Sequence, residues 1–218
     1  PIGSRGLGDV YKRQDSISDL ETIEVLREII DELPPKSLLK RYVGDVYFDV
    51  KNLKNLFALL KKDNLTSNEI TLKIKESKKE ALLDEFYHYK KKYGNNLAGD
   101  LNQKKYDTFS KSLDKLCEAS ELLDIYQKKL KDRNRYDFND MLSWVLNAFE
   151  SNEELLLKYQ EAFQYFLVDE YQDTNGIQNQ LLYKLISYWD NPNVFVVGDD
   201  DQSIYCLLYT SDAADEVV

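Results

Sequence analysis

Tyr165-Phe166-Leu167-Val168 is a short, wholly apolar run that ends in Asp169-Glu170, and Val194-Phe195-Val196-Val197 is a second that ends in Gly198-Asp199. Gln178 to Trp189, between them, reads as a helix. Strand, helix, strand with fully apolar strands predicts a parallel sheet covered on both faces. Polar residues gathered just past the strand ends sit where such sheets bind ligands. An acidic pair at that point can hold a hydrated magnesium ion beside a nucleotide. The first carboxylate serves the metal, and the second can orient and deprotonate an attacking water. Adjacent residues diverge at a strand end, so the two carboxylates reach different partners. Taken alone, the same pair would also suit a cap for the helix that follows.

The sequence upstream is helical. Residues 19–33 read as an amphipathic helix stopped by Pro34-Pro35. Leu53, Leu56, Phe57 and Leu60 recur at helical spacing, and Thr66 with Glu69 predicts a capping box opening the next helix. Residues 71–92 and 105–131 are expected to form two longer helices joined by the polar stretch Tyr93 to Asn102. In the second, Leu113, Leu116, Ser120, Leu123 and Tyr126 mark a buried stripe, which is core far more often than a cofactor box. His88 is expected in a polar helix, at the surface, with no partner spacing for a metal or a catalytic triad. Asn139 to Phe149 and Glu153 to Phe163 read as two further helices leading into the first strand.

Bulk properties bound the reading. The chain has 218 residues, 43% hydrophobic and 31% charged, enough for one ordinary domain or one domain and part of another. Only 8 Gly and 4 Pro fit a helix-rich chain. No run is long and apolar enough to span a bilayer, and no signal-peptide pattern is present, so a soluble, cytoplasmic protein is expected. Cys117 and Cys206 give neither a disulfide framework nor a metal spacing. A net charge of −10 argues against a nucleic-acid binder on the total alone. Strand contacts need only a local basic groove. Lysines do cluster at 78–79, 90–92, 104–105 and 128–129, although solvated helix faces are the ordinary reading of such clusters.

Phe166 to Asn175 reads FLVDEYQDTN, and Val196 to Tyr205 reads VVGDDDQSIY. These resemble motifs II and III of the UvrD/Rep/PcrA helicases of superfamily 1, in the right order and separated by one helix. Tyr136 to Met141 resembles the aspartate-rich YDFDDL segment of the same family, with Asn139 where Asp is more usual. The resemblance is specific over residues 136–205 and loose over 15–135, where the family has a helical accessory subdomain.

The resemblance implies an α/β fold. A mainly helical accessory region over 15–132 would be followed by part of a RecA-like P-loop NTPase domain with a parallel sheet over 133–205. It implies ATP and Mg2+ at the site, and single-stranded and partly duplex DNA as the partner. Asp169 would bind magnesium through water, and Glu170 would be the catalytic base. Gln172 would join the hydrogen-bonding network around the nucleotide, and Asp199 would shape the site. Gln202 would sense the γ-phosphate and couple hydrolysis to movement. Tyr205 and Phe138 would face the DNA strand, where stacking tolerates any base, as a translocating motor requires. For Phe138 a buried core aromatic is the competing reading. The motor part of a RecB/AddA-like helicase-nuclease is an alternative, which GDDDQSIY disfavours. A non-catalytic helical interaction module is another, which Asp169, Glu170 and Gln202 together argue against.

Two departures qualify this. The sequence contains no GxxxxGK[ST] phosphate-binding loop, nor the family's later arginine-bearing motifs. Catalysis by the chain alone is therefore not expected. The sheet should be incomplete, with an exposed edge and marginal stability. The two ends also read as foreign. Asp9 to Gln14 can be encoded by GAT GTG TAT AAG AGA CAG, whose reverse complement, read one base out of frame, gives the peptide Cys206 to Ser211. That string resembles a transposase-end sequencing adaptor, so residues 1–14 and 206–218 are expected to be non-native.

Overall fold

The computed structural model describes residues 14–94 and 96–199. Among these residues helices dominate, and two small parallel sheets complete an α/β chain. The chain divides into two compact units. One comprises the described residues up to Lys61 together with Leu65–Phe138; the other comprises Lys62–Asn64 and the described residues from Asn139 onward.

In the first unit, β1 (Asp15–Ser16) pairs in parallel with β2 (Arg135–Tyr136). The core is built by α1 (Asp19–Glu32), α2 (Val50–Lys62) and α4 (Gln103–Asp132). Val25, Leu26, Ile29 and Ile30 of α1 meet Leu53, Phe57 and Leu60 of α2 and Leu122, Leu123, Tyr126 and Leu130 of α4. The expected stripe on α4 is buried at Ser120, Leu123 and Tyr126 and half-buried at Leu113 and Leu116. Each large aliphatic side chain removed from water here contributes about 1.5–3 kcal/mol. The Thr66–Glu69 capping box forms as read: Thr66 Oγ1 accepts the Glu69 amide, and the Glu69 carboxylate accepts the Thr66 amide, at the head of α3 (Ser67–Ala81).

The long helix expected over 71–92 is not formed; α3 ends at Ala81. Asp84 accepts the Phe86 amide at 2.8 Å and starts a single 3-10 turn, Glu85–Tyr87. The backbone then runs back on itself, with Tyr89 N–H donating to Asp100 O and Asn102 N–H to Tyr87 O. Phe86, Tyr87, Tyr89 and Tyr93 crowd this segment, and aromatic residues favour extended backbone over helix. Here they also pack on each other and on α4, as Tyr87 does on Phe109 at 5.1 Å between ring centres. His88 is accordingly not in a helix. It is half-buried, with Nδ1 2.8 Å from the Asp84 carbonyl oxygen.

A second capping box opens α1. The Glu21 carboxylate accepts the Ser18 amide at 3.0 Å and also pairs with Arg135 Nε at 3.0 Å, tying α1 to β2. The Ser18 backbone hydrogen bond, then the Arg135 hydrogen bond, hold its pKa down at about 2, below the ordinary 4.5. A carboxylate whose pKa is depressed by folding stabilises the fold above its unfolded pKa, and that contribution is lost as pH falls through the folded value. The expected result is a stability that declines between about pH 4.5 and pH 2. Glu21→Gln should flatten that stretch of the profile, as read by denaturant titrations at successive pH values. An unchanged slope would remove Glu21 as its source.

In the second unit, α5 (Phe138–Ser151, entering from the first unit at Phe138) and α6 (Glu153–Ala162) lead into β3 (Tyr165–Val168). Then α7 (Gly176–Ile186) crosses over to β4 (Asn193–Val196). The two strands are parallel, as expected, with Tyr165 opposite Asn193 and Val168 opposite Val196. Among the described residues of this unit Leu146, Phe149 and Ile177 are the buried apolar ones, and buried Gln160 donates to the Lys184 carbonyl at 2.6 Å. The expectation of a sheet covered on both faces is corrected: Leu167 is 80% and Phe195 63% exposed. Among the described residues these two strands pair only with each other, while Phe166, Val168 and Val194 at the alternate positions are half-buried.

Candidate functional site

The site forms where β3 and β4 end side by side. Pairing continues one step past the strands, with Val197 N–H donating to Val168 O at 2.8 Å and Tyr171 N–H donating back to Val197 O at 3.0 Å. Parallel pairing in this register brings the loop after β3 and the turn after β4 to the same end of the sheet.

Asp169 leaves β3 exposed, and its Oδ1 accepts the Glu170 amide at 2.9 Å. Glu170 adopts a left-handed backbone, φ 50 and ψ 47. A residue with a Cβ gives up roughly 1–2 kcal/mol to do so. That reversal turns the chain into the 3-10 turn Tyr171–Asp173, closed by Asp173 N–H to Glu170 O and Thr174 Oγ1 to Tyr171 O. Asn175 then caps α7, accepting the Gln178 amide at 3.0 Å, while Gln178 Oε1 accepts the Asn175 amide.

Gln172 joins the two strand ends. Its Nε2 donates to Glu170 Oε2 at 2.5 Å, and its Oε1 accepts the Asp199 amide at 2.9 Å. One half-buried amide side chain therefore fixes the Glu170 carboxylate relative to the turn after β4. An amide suits both contacts, since it offers a donor and an acceptor at once.

Gly198 is the residue that sequence reasoning passed over. A Cβ there would stand 2.7 Å from Gln172 Oε1 and 3.2 Å from Tyr171 Cβ. The signal was visible as a glycine directly after an apolar run, where it often marks close approach of another part of the chain. Gly198→Ala should push Gln172 off its position and weaken the Asp199 and Tyr171 backbone bonds. The expected cost is about 1–3 kcal/mol to the second unit, read as faster amide exchange at Tyr171 and Asp199. Exchange unchanged from the wild type would show that the turn has room the geometry denies it.

Four residues singled out from the sequence, Asp169, Glu170, Gln172 and Asp199, thus fall within this one site. Phe138 belongs to the other unit, where it is 67% exposed at the start of α5, so the buried-core reading of it is set aside. Gln202 and Tyr205 lie outside the described residues, as do Asp200 and Asp201.

Parallel strands joined through a helix make this unit α/β, and its acidic side chains lie past the carboxyl ends of the strands, the end at which open parallel sheets bind ligands. The family model for the UvrD/REP helicase N-terminal domain matches residues 11–208, and the chain belongs to that family. The chain is 48% identical over 80 residues to a probable DNA helicase II homolog of Rickettsia conorii, covering 37% of this chain and 12% of that protein. It is equally similar over 80 residues to the ATP-dependent DNA helicase PcrA of Staphylococcus aureus, covering 37% of this chain and 11% of the relative. The matched stretch therefore spans only about a tenth of the length of these relatives. Among the described residues no helix is long and apolar enough to cross a membrane.

Proposed function

We propose that this chain is part of the motor of an ATP-dependent DNA helicase, which couples ATP hydrolysis to movement along single-stranded DNA and to duplex unwinding. The observation that carries this reading is the Gln172 bridge, which holds the Glu170 carboxylate at a fixed place beside the turn after β4. Glu170 is the general base that takes the proton of the attacking water. Gln172 orients it, and Asp199 shapes the site from the turn after β4. Gln202 reports the state of the terminal phosphate, and Phe138 and Tyr205 stack against bases of the strand.

The residues fit magnesium of the kind such sites use. Among the described residues no group of three or more His, Cys, Asp and Glu side chains is placed to hold a metal by itself. Magnesium in nucleotide sites is held by one or two carboxylates, with water and phosphate completing its shell. Asp169, exposed at the end of β3 and oriented by the Glu170 amide, is the carboxylate that would hold it. When bound, the ion neutralises charge that develops on the phosphates.

The 218 residues contain no GxxxxGK[ST] loop to cradle those phosphates. Hydrolysis is therefore assigned to the protein that joins this stretch to such a loop and to an arginine-bearing second motor domain. The names of the relatives, DNA helicase II and PcrA, favour a simple helicase over a helicase-nuclease. The test is DNA-stimulated ATP hydrolysis by that longer protein. Hydrolysis that DNA does not stimulate, or none at all, would overturn the proposal.

A further inference from the structure

Lys90, Lys91 and Lys92 do not stand on a helix face. They lie on an arm, residues 87–102, which leaves the 3-10 turn Glu85–Tyr87 and comes back into α4 within the first unit. Backbone bonds hold the arm together. Tyr89 N–H donates to Asp100 O at 2.9 Å, Gly99 N–H to Tyr89 O at 2.9 Å, and Asn102 N–H to Tyr87 O at 2.7 Å. Further out, the Tyr93 and Asn96 amides each donate to the other's carbonyl, at 3.0 and 3.1 Å. Half-buried Tyr87 roots the arm on α4, with its ring centre 5.1 Å from that of Phe109 and 6.5 Å from that of Tyr106.

Rings and charges share this arm. Tyr93 is 73% exposed, and Phe86, at the root, is 60% exposed. The Tyr89 and Tyr93 rings lie 9° from parallel with their centres 6.2 Å apart. Lys105 Nζ sits 4.3 Å from the centre of the Phe86 ring. Between Phe86 and Tyr106 stand five lysines, at 90–92, 104 and 105, all exposed. The one carboxylate in that stretch, Asp100, already accepts the Leu97 amide at 2.6 Å. A chain of net charge −10 thus carries a local excess of positive charge here. A single exposed ring is ordinary. Exposed rings set among lysines are what holds an unpaired strand.

We infer that the arm 87–102 is a binding site for single-stranded nucleic acid, with Tyr93 and Phe86 as stacking platforms and Lys90, Lys91 and Lys92 meeting the phosphates. Charge complementarity supplies the attraction, and the rings select the occupant. A duplex hides the faces of its bases except at its ends, so the rings would find nothing to stack on along it. An acidic peptide would satisfy the lysines and leave the rings unused. The site includes no residue of the proposed ATPase machinery and does not depend on that activity.

Fluorescence anisotropy of a labelled oligothymidylate with the 218-residue chain tests this in the absence of ATP. The chain carries Phe138→Ala and Tyr205→Ala, so that the two rings proposed above to face a strand do not report. Tyr93→Ala should then weaken binding at least about fivefold, the scale of one lost base stack. Tyr93→Phe keeps the ring and should bind as the parent does. Phe86→Ala should weaken binding in the same way, which keeps the test open if Tyr93→Ala loosens the arm. Lys90→Gln, Lys91→Gln and Lys92→Gln together should flatten the slope of log affinity against log salt by about 2, from roughly 0.7 for each phosphate contact on a single strand. Equal affinity for a duplex of the same length, or for polyglutamate, would overturn the inference in favour of plain charge attraction. Unchanged affinity in both Tyr93→Ala and Phe86→Ala would overturn it too, as would no binding at all. Failure here leaves the proposed ATPase standing, and an inactive longer protein leaves this site standing.

Discussion

Glu170→Gln, placed in the longer protein that supplies a phosphate-binding loop, is expected to lower DNA-stimulated ATP hydrolysis by about 10²–10⁴-fold, the usual contribution of a positioned general base. The substitution suits the geometry. Glutamine keeps an oxygen to accept the Gln172 amide, which now meets Glu170 Oε2 at 2.5 Å, and it keeps the length of the side chain. The left-handed backbone at 170 makes no contact that requires a charge. Nucleotide and DNA affinity should therefore stay within a few-fold of the parent, so that the loss falls on the chemical step. Steady-state rates with nucleotide binding measured separately would show this. A variant that binds ATP and still hydrolyses it at the parent rate would remove Glu170 from the role of base.

Lys61→Met is expected to destabilise the first unit on the scale of a core truncation. Lys61 brings a charge into a nearly closed environment, and Asp137 meets it at 2.6 Å. Deleting the ammonium removes this ion pair together with the contact on the Tyr126 ring, 5.2 Å away, and breaking a buried pair from one side costs up to about 3–5 kcal/mol. The Asp137 side chain keeps 24% of its surface, which places the expected loss near the lower end, about 3 kcal/mol. The paired change Lys61→Met with Asp137→Asn should recover part of it, because an amide at 137 carries no charge for Lys61 to balance. Urea unfolding followed by far-UV circular dichroism reads both, since α4 and its neighbours supply most of the helical signal. Equal losses in the single and the double variant would mean that Lys61 acts through packing on Tyr126 and not through its charge.

The strands were legible because each is a bare apolar run closed by acidic residues, a pattern few other elements share. The capping box at Thr66 was legible for a similar reason: side-chain chemistry at fixed spacing is a local signal. The helix expected over 71–92 failed where tertiary packing overrode spacing. Tyr87 leaves the helical path to pack against Phe109, a residue 22 positions later, and nothing near position 87 announces that partner. At the site, the acidic pair and Gln172 could be picked out by type and motif. The bridge itself could not, because it depends on the register Val168 opposite Val196. Gly198 was missed because its importance lies in how closely the turn after β4 approaches Tyr171 and Gln172, which no single residue encodes. Phe138 shows the converse: its type left stacking platform and core residue open, and its exposure removes the core reading.

The parallel pairing of β3 with β4 also works as a ruler. Side chains alternate between faces along a strand, so a one-residue insertion or deletion within 165–168 or 193–196 would turn every following side chain over. Asp169 and Gly198 would then arrive at the wrong height and on the wrong side of each other. The segment 187–192, between α7 and β4, carries no such constraint, because it sets only the distance travelled and not the phase on arrival. Length changes among descendants of this sequence should therefore collect at 187–192 and be purged from the strands. A library of single-residue insertions selected for function would sort itself along that boundary.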